Sequence, residues 1–125
     1  MKNKKAIIGI SYLLIFTVLI SMNLVNASYP IVTNNHKDEI KVDTPLRIFV
    51  EVSQDGFPIE NANVQLSIVP FGGGIPNILN EYTNQKGKAA FKYTETGVIG
   101  QFGINTSVTL NGVWIGGCIS YFNVT

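Results

Sequence analysis

The sequence predicts an all-β fold, a two-sheet sandwich of about seven short strands that follows an N-terminal hydrophobic signal helix. Apolar and polar residues alternate from residue 46 onward, which is the pattern of strands that are buried on one face. Glycine, asparagine and proline separate these runs at short intervals, as in sandwich proteins. No segment after residue 40 keeps the periodicity of an amphipathic helix.

The first 27 residues have the three parts of a secretory signal peptide. Lysines near the start precede an uncharged apolar run, and Val25-Asn26-Ala27 supplies small residues for a signal peptidase. We therefore expect export by the Sec route and cleavage after Ala27. A retained N-terminal anchor is the alternative, because residues 6–25 carry no charge and are long enough to cross a bilayer as a helix. A pilin-type signal fits less well, since the basic residues do not lie directly before a cleavage site.

The predicted organisation has three parts: a signal peptide over 1–27, a flexible lead-in over 28–39 with room for a short edge strand, and one sandwich domain over 40–125. The mature part keeps six basic and eight acidic residues, a net charge of −2. It has no basic patch interleaved with aromatic residues, so we expect no nucleic-acid partner.

Each predicted strand has apolar residues at alternate positions. The first contains Leu46, Ile48 and Val50 and ends at the turn Asp55-Gly56. Residues 70–78 hold three glycines and two prolines, which predict a loop. Asn111-Gly112 predicts a type I′ hairpin turn, because both positions accept positive φ. The remaining strands are predicted around Val64–Ile68, Leu79–Thr83, Ala89–Tyr93, Phe102–Leu110 and Val113–Val124.

Three segments carry a family resemblance. Residues 55–66, 83–91 and 100–104 read DGFPIENANVQL, TNQKGKAAF and GQFGI. In order and spacing they resemble the bacterial and archaeal immunoglobulin-like surface domains of the type found in invasin- and intimin-like adhesins. The patterns matched are D-G-x-P-[IV]-x-[GN]-A-x-V-x-[LF], T-[DN]-x-x-G-x-A-x-F and G-x-[YF]-x-[IV]. Macroglobulin-like and carboxypeptidase-regulatory-like sandwiches show a similar pattern.

The resemblance implies an immunoglobulin-like sandwich that is displayed at the cell surface, serves adhesion or spacing, and has no catalytic activity. By this resemblance, Gly56 and Gly87 permit turns, and Pro58 and Ala62 shape the start of a strand. It places in the interior Val64, Leu66, Phe91, Phe102 and Ile104. One domain in place of a tandem array departs from the usual pattern and weighs against the role of a long stalk.

Catalytic, metal and cofactor sites are not expected. The only histidine, His36, and the only cysteine, Cys118, lie at opposite ends of the mature chain, so a Cys–His nucleophile is disfavoured. We expect Cys118 as a small buried hydrophobe, with an intermolecular thiol as the alternative. Gly72-Gly73-Gly74 lacks the sequel of a phosphate-binding loop. We expect ordinary solvated charges, and neither a cation site nor a glycosidase pair, at Asp38, Glu39, Asp43, Glu51, Asp55, Glu60, Glu81 and Glu95.

Four apolar residues are candidate contact residues. Phe71, Ile75 and Ile78 belong to the predicted glycine-rich loop, and functional loops are common at the ends of sandwiches. Trp114 follows the hairpin turn; core packing is its first interpretation and an exposed contact anchor its second. If it is exposed, Val98-Ile99 could join the same surface.

Two segments match the N-glycosylation sequon, one beginning at Asn105 and one at Asn123. Both asparagines are predicted within or beside strands. Their occupancy therefore depends on whether each side chain faces solvent.

These features predict an exported cell-surface or secreted module that acts by non-catalytic binding or adhesion, or as a structural spacer. Its expected partner is a protein or a cell-surface polymer, with membrane contact only through a retained anchor. One alternative is a filament or pilus subunit that assembles through strand edges, since the last strand is apolar. A small secreted hydrolase is the second alternative.

Overall fold

The computed structural model describes residues 29–125, so the predicted signal peptide lies outside the described residues. Nine strands make up the fold, and two of them are only two residues long. In chain order they are β1 Ile31–Asn35, β2 Glu39–Ile40, β3 Leu46–Gln54, β4 Phe57–Pro58, β5 Asn63–Pro70, β6 Asn77–Tyr82, β7 Lys88–Tyr93, β8 Gly100–Leu110 and β9 Val113–Val124.

The strands form two sheets. In the four-stranded sheet, β3 is central, with β1 antiparallel to it on one side and β7 and β4 antiparallel to it on the other. The five-stranded sheet has the order β2-β9-β8-β5-β6 and is antiparallel except for the short parallel pair of β2 with β9. The predicted all-β sandwich is confirmed, and seven of its strands have five or more residues.

The core lies between the sheets and is built from alternate residues of each long strand. In β3 every second side chain from Leu46 to Val52 is buried, and β8 repeats the pattern. Burying one such side chain contributes about 1.5–3 kcal/mol. The fully buried aliphatic side chains come from both sheets: Leu46, Ile48, Val50, Val52, Val64, Leu66, Ile68, Ile104, Val108 and Val124.

Two-residue turns reverse the chain where the sequence predicts them. Asn111 and Gly112 have φ of 52° and 79°, which confirms positive φ at both positions of the β8–β9 hairpin. Asp55 and Gly56, between β3 and β4, have φ of 55° and 81°. Asparagine, aspartate and glycine tolerate this region with the least steric cost.

A buried threonine holds the segment between β4 and β5 in place. The Thr83 hydroxyl donates to the Ile59 carbonyl at 2.7 Å and accepts from the Ala62 backbone N–H at 2.9 Å. The side chain is 2% exposed, so water cannot replace these bonds. It therefore satisfies two backbone groups of the segment between β4 and β5.

Two predicted segments take a definite form in the structure. Strand β1 lies inside the range 28–39, where the sequence left room for a short edge strand, and it pairs with β3. Polar residues occupy most of β1, which hid it from the search for apolar alternation. The predicted loop over 70–78 spans only 71–76, because β6 begins at Asn77 and pairs with β5.

The C-terminal end of β9 is not a free edge. Strand β2 pairs with Asn123 and Val124, and the Thr125 backbone N–H donates to the Ile40 carbonyl at 2.9 Å. Along the described chain, no helix has the length and apolarity to cross a membrane.

We expect Gly87→Ala to lower the free energy of unfolding by more than about 2 kcal/mol. Gly87 has a φ of 73°, and a Cβ there would overlap the carbonyl oxygen of Val52, while its own carbonyl accepts from the Val52 N–H at 2.8 Å. Urea unfolding followed by circular dichroism measures the loss.

Gly56→Ala is the matched control for this prediction. Its φ of 81° is similar, but no atom lies within 4 Å of the added Cβ. We expect a loss of only about 1 kcal/mol, the cost of the backbone conformation alone. Equal losses for the two variants would contradict the role given to the Val52 contact.

Candidate functional site

The residues that form the outer face of the five-stranded sheet follow from those that point into the core. Because the even-numbered residues Phe102 to Val108 of β8 point into the core, the odd-numbered ones point outward. Cross-strand partners share a face, so the register gives the whole set. The outward positions of β6, β5, β8 and β9 are Ile78, Asn80, Tyr82, Asn63, Gln65, Ser67, Val69, Gln101, Gly103, Asn105, Ser107, Thr109, Trp114, Gly117, Ile119, Tyr121 and Asn123.

None of these positions on β6, β5, β8 and β9 carries a charge; the charged Glu39 of the short edge strand β2 pairs with Asn123 and borders them at one corner. We call this surface the uncharged face. The outer face of the four-stranded sheet differs sharply, because Arg47 and Glu51 of β3 lie there with Lys88 and Lys92 of β7. The two faces of one small domain thus have different chemistry, and that difference marks the uncharged face as the candidate site.

Tyr121 and Phe71 form an aromatic pair at one end of the uncharged face. The Tyr121 ring lies beside Gly103, its cross-strand partner, where an added Cβ would be 3.6 Å from the ring. Phe71 meets Tyr121 edge-on with ring centroids 5.8 Å apart, a favoured aromatic geometry. Tyr121 remains 50% exposed, so part of its ring is open to a ligand.

Trp114 lies at the other end of the same face. Its partner is Thr109, an outward position of β8, and its side chain is 64% exposed. Trp114 is therefore exposed and not packed in the core, and its role as a contact anchor stays a prediction. The cause is a bulge, because Ile115 has no partner between the pairs Val108–Gly116 and Thr109–Trp114. The extra residue reverses which side chains of β9 face outward.

A glycine leaves an open depression beside Trp114. A Cβ at Gly117 would overlap the carbonyl oxygen of Thr106, so only glycine fits this backbone position without a shift. The resulting depression has a volume of about 550 Å³ and is lined by Asn105, Thr106, Ser107, Trp114, Gly117, Cys118 and Ile119.

A second depression of about 300 Å³ lies across the same end of the sheet. It is lined by Asn61, Asn63, Tyr82, Thr109, Asn111 and Gly112. The Oδ1 atom of Asn63 has no hydrogen-bond partner among the described residues. An unpaired buried acceptor is costly, so this amide has bonding capacity that the fold does not use.

The predicted contact residues lie in different parts of the structure. Phe71 and Ile75 lie in the loop after β5 and are exposed, whereas Ile78 lies in strand β6 and belongs to the uncharged face. Val98 and Ile99 are exposed but precede β8, at the end of the sheet opposite Trp114. They do not join its surface.

Both sequon asparagines face solvent. Asn105 and Asn123 are exposed and point outward from β8 and β9. Asn105 lies in the middle of the uncharged face, between Ile119 and Ser67 of the neighbouring strands. A glycan attached there would cover the face.

A chain of polar contacts ties β1 to the five-stranded sheet. Asn34 Nδ2 donates to Thr106 Oγ1 at 2.6 Å and to Ser120 Oγ at 3.2 Å. His36 Nε2 lies 2.9 Å from Ser120 Oγ, and Nδ1 lies 2.8 Å from the Lys37 carbonyl. Because that carbonyl can only accept, Nδ1 carries a proton and donates to it.

This arrangement brings Ser120 and His36 within the distance of a nucleophile–base pair. Ser120 also bonds Asn34 beneath β1, and the depression of about 520 Å³ beside His36 does not include Ser120 in its lining. Among residues 29–125, no three His, Cys, Asp or Glu side chains gather where they could hold a metal ion. We interpret the contacts as a link between the sheets.

Cys118 ends the same chain of contacts. It is half-buried and not fully buried, and its neighbours are polar: it hydrogen-bonds the Thr106 side chain and the Asn34 backbone. Burial raises the pKa of the Cys118 thiol above its ordinary value, and these hydrogen bonds offset part of that increase. His36 and Cys118 are connected only through Ser120, Asn34 and Thr106.

Sequence reasoning missed Tyr121, Ile119 and Tyr82. A usable signal was present, because residues 61–80 and 96–125 contain no charged side chain. Those two segments contain β5, β8, β9 and the first four residues of β6, all in the five-stranded sheet. Apolar residues on both faces of β9 concealed which of them point outward.

Three solved structures align with this chain. The CARDB domain of a Pyrococcus furiosus protein, crystallised in complex with di-metal ions, aligns with a TM-score of 0.50 at 19% identity, over 78% of this chain and 87% of that chain. Its solution NMR structure gives 0.49 at 17% identity, over 78% and 94%. A β-glucosidase from Listeria innocua in complex with glucose gives 0.48 at 8% identity, over 78% and 16%.

At these identities the likeness concerns the fold alone. The chain has the fold of an immunoglobulin-like β-sandwich module, and the invasin and intimin type is not singled out. No sequence-family model matches the chain, and no curated protein matches it in sequence.

We expect Cys118 to react with iodoacetamide several-fold more slowly in the folded chain than glutathione does at the same mildly alkaline pH. A raised pKa leaves less thiolate, and the thiolate is the nucleophile. The rate measured by mass spectrometry should approach that of glutathione in concentrated urea. Equal rates in the folded and unfolded chain would contradict the half-buried, hydrogen-bonded thiol.

Proposed function

We propose that the chain is an exported, non-catalytic immunoglobulin-like module that acts by contact through its uncharged face. The observation that carries this proposal is the difference between the two outer faces. Exposed rings of Trp114, Tyr121 and Tyr82 lie on a face whose four long strands present no charge, and the other face is charged like an ordinary solvated surface. Large exposed apolar groups on a small domain mark interaction sites.

Export rests on the N-terminal sequence. Lysines, an apolar run and Val25-Asn26-Ala27 have the order of a secretory signal. The module would then be secreted, or held at the surface by a retained N-terminal anchor. Its resemblance to the surface domains of invasin- and intimin-like adhesins supports the same placement.

The filled interior and the placement of Ser120 and His36 favour a contact function over catalysis. Aliphatic and aromatic side chains fill the space between the sheets. The Ser120–His36 pair lies among side chains that join the sheets, and the Asn34 amide already bonds Ser120. A nucleophile needs room for a substrate and donors for an oxyanion, and this pair is placed to support β1.

We expect the exported protein to have the intact mass of residues 28–125. Expression in an exporting host, followed by fractionation and mass spectrometry, measures the cleavage and any added glycan. A full-length chain in the membrane fraction indicates the retained anchor. A full-length chain in the cytosol would contradict export.

We expect the purified chain to bind envelopes isolated from the cells that produce it. Trp114→Ala should weaken this binding about tenfold, since truncating an aromatic anchor typically costs more than 1 kcal/mol. Phe49→Ala is the matched control, because Phe49 is 49% exposed on the charged outer face. If the control loses binding and Trp114→Ala keeps it, the uncharged face is not the contact surface.

A further inference from the structure

We infer that the uncharged face binds a neutral polysaccharide. This inference rests on the proposed function and names the ligand class of the same surface. Four features support it: the absence of charge, the geometry of the exposed rings, the side chains between them, and the way apolar residues are dispersed.

The first feature is electrostatic. A polyanion or a basic partner is recognised by opposite charges that steer it and fix its orientation. The four long strands of the uncharged face offer none. The one charge that borders the face, Glu39 of β2, lies beside Asn123 at the end of the sheet opposite Trp114. A ligand that matches this face is itself uncharged.

The second feature is the placement of the rings. Gly103 and Thr109, the partners of Tyr121 and Trp114, are six residues apart on β8, which is about 20 Å along an extended strand. Across the sheet, Tyr82, Asn63, Thr109 and Trp114 form one row, so Tyr82 and Trp114 are about 14 Å apart. Separate rings along and across one face of a sheet suit an extended polymer that presents one apolar ring face after another.

The third feature is the polar chemistry between the rings. The surface from Trp114 to Tyr121 presents Thr109, Ser107 and Asn105, and β5 adds Gln65 and Ser67. Amides and hydroxyls both donate and accept hydrogen bonds, as sugar hydroxyls do.

The fourth feature distinguishes a sugar polymer from a protein partner. Protein interfaces have a contiguous apolar centre and are enriched in arginine. Here polar residues separate the apolar ones: the row Ile119, Asn105, Ser67, Ile78 has two polar members between its isoleucines. Arginine is absent from the face.

The test uses the purified full-length chain and its intrinsic fluorescence, because Trp114 is the only tryptophan in the sequence. Hydroxyethylcellulose, dextran and mannan are the neutral probes, and polygalacturonate is the acidic control. At least one neutral probe should shift the Trp114 emission and retard the chain in affinity electrophoresis. Trp114→Ala should weaken the retardation about tenfold, Trp114→Phe should restore part of it, and Phe49→Ala should behave as the wild type.

Because Trp114 is largely exposed, its substitution should leave the circular dichroism spectrum unchanged. The emission shift is measured on the wild type, so it tests the inference even if a variant fails to fold. No shift with any neutral probe would overturn the inference, as would stronger binding of polygalacturonate. A concentration-dependent dimer that buries Trp114, or a glycan found on Asn105, would also overturn it by giving the face another occupant.

The envelope assay separates the two proposals. If envelope binding depends on Trp114 while no neutral probe binds, the ligand class is wrong and the contact function stands. If Trp114→Ala changes neither envelope binding nor probe binding, both proposals fail together.

Discussion

The alternate apolar side chains of β3, β5 and β8 pack against one another between the two sheets, and this contact fixes the orientation of the other side chains in those strands. A shift of one residue in any of these strands would move its apolar set into water. Ile104 and Val108 of β8 are buried in the core. The odd-numbered residues between them must therefore point outward. The composition of the uncharged face is therefore a consequence of core packing.

Two local departures from regular pairing shape what that face presents. The bulge at Ile115 turns Trp114 outward, and Gly117 lets β9 approach the Thr106 carbonyl while leaving an open depression above it. Bulges commonly redirect a side chain at a functional surface. On the inner side, Asn34 and His36 link the β1 segment to Ser120 of β9 by hydrogen bonds.

Much of the fold could be predicted because it depends on local chemistry. Alternation located β3, β5, β7 and β8, and the sequences Asp55-Gly56 and Asn111-Gly112 located two turns. Strand β1 could not be found in this way, because its polar residues are stabilised by partners far along the chain. The Asn34–Thr106 bond joins residues 72 apart in sequence, and no local pattern contains that information. For the same reason the sequence alone could not decide whether Trp114 lies in the core or on the surface.

The sequence by itself determined the all-β class, the positions of the turns, the side chains that fill the core and the lack of charge in residues 61–80 and 96–125. These properties follow from the preferences of neighbouring residues and from the solubility of their side chains. Only the tertiary structure decided that the uncharged segments form one sheet and that Trp114, Tyr121 and Tyr82 share its outer face. Strand order, register and one bulge set that arrangement, and each depends on pairing between distant parts of the chain.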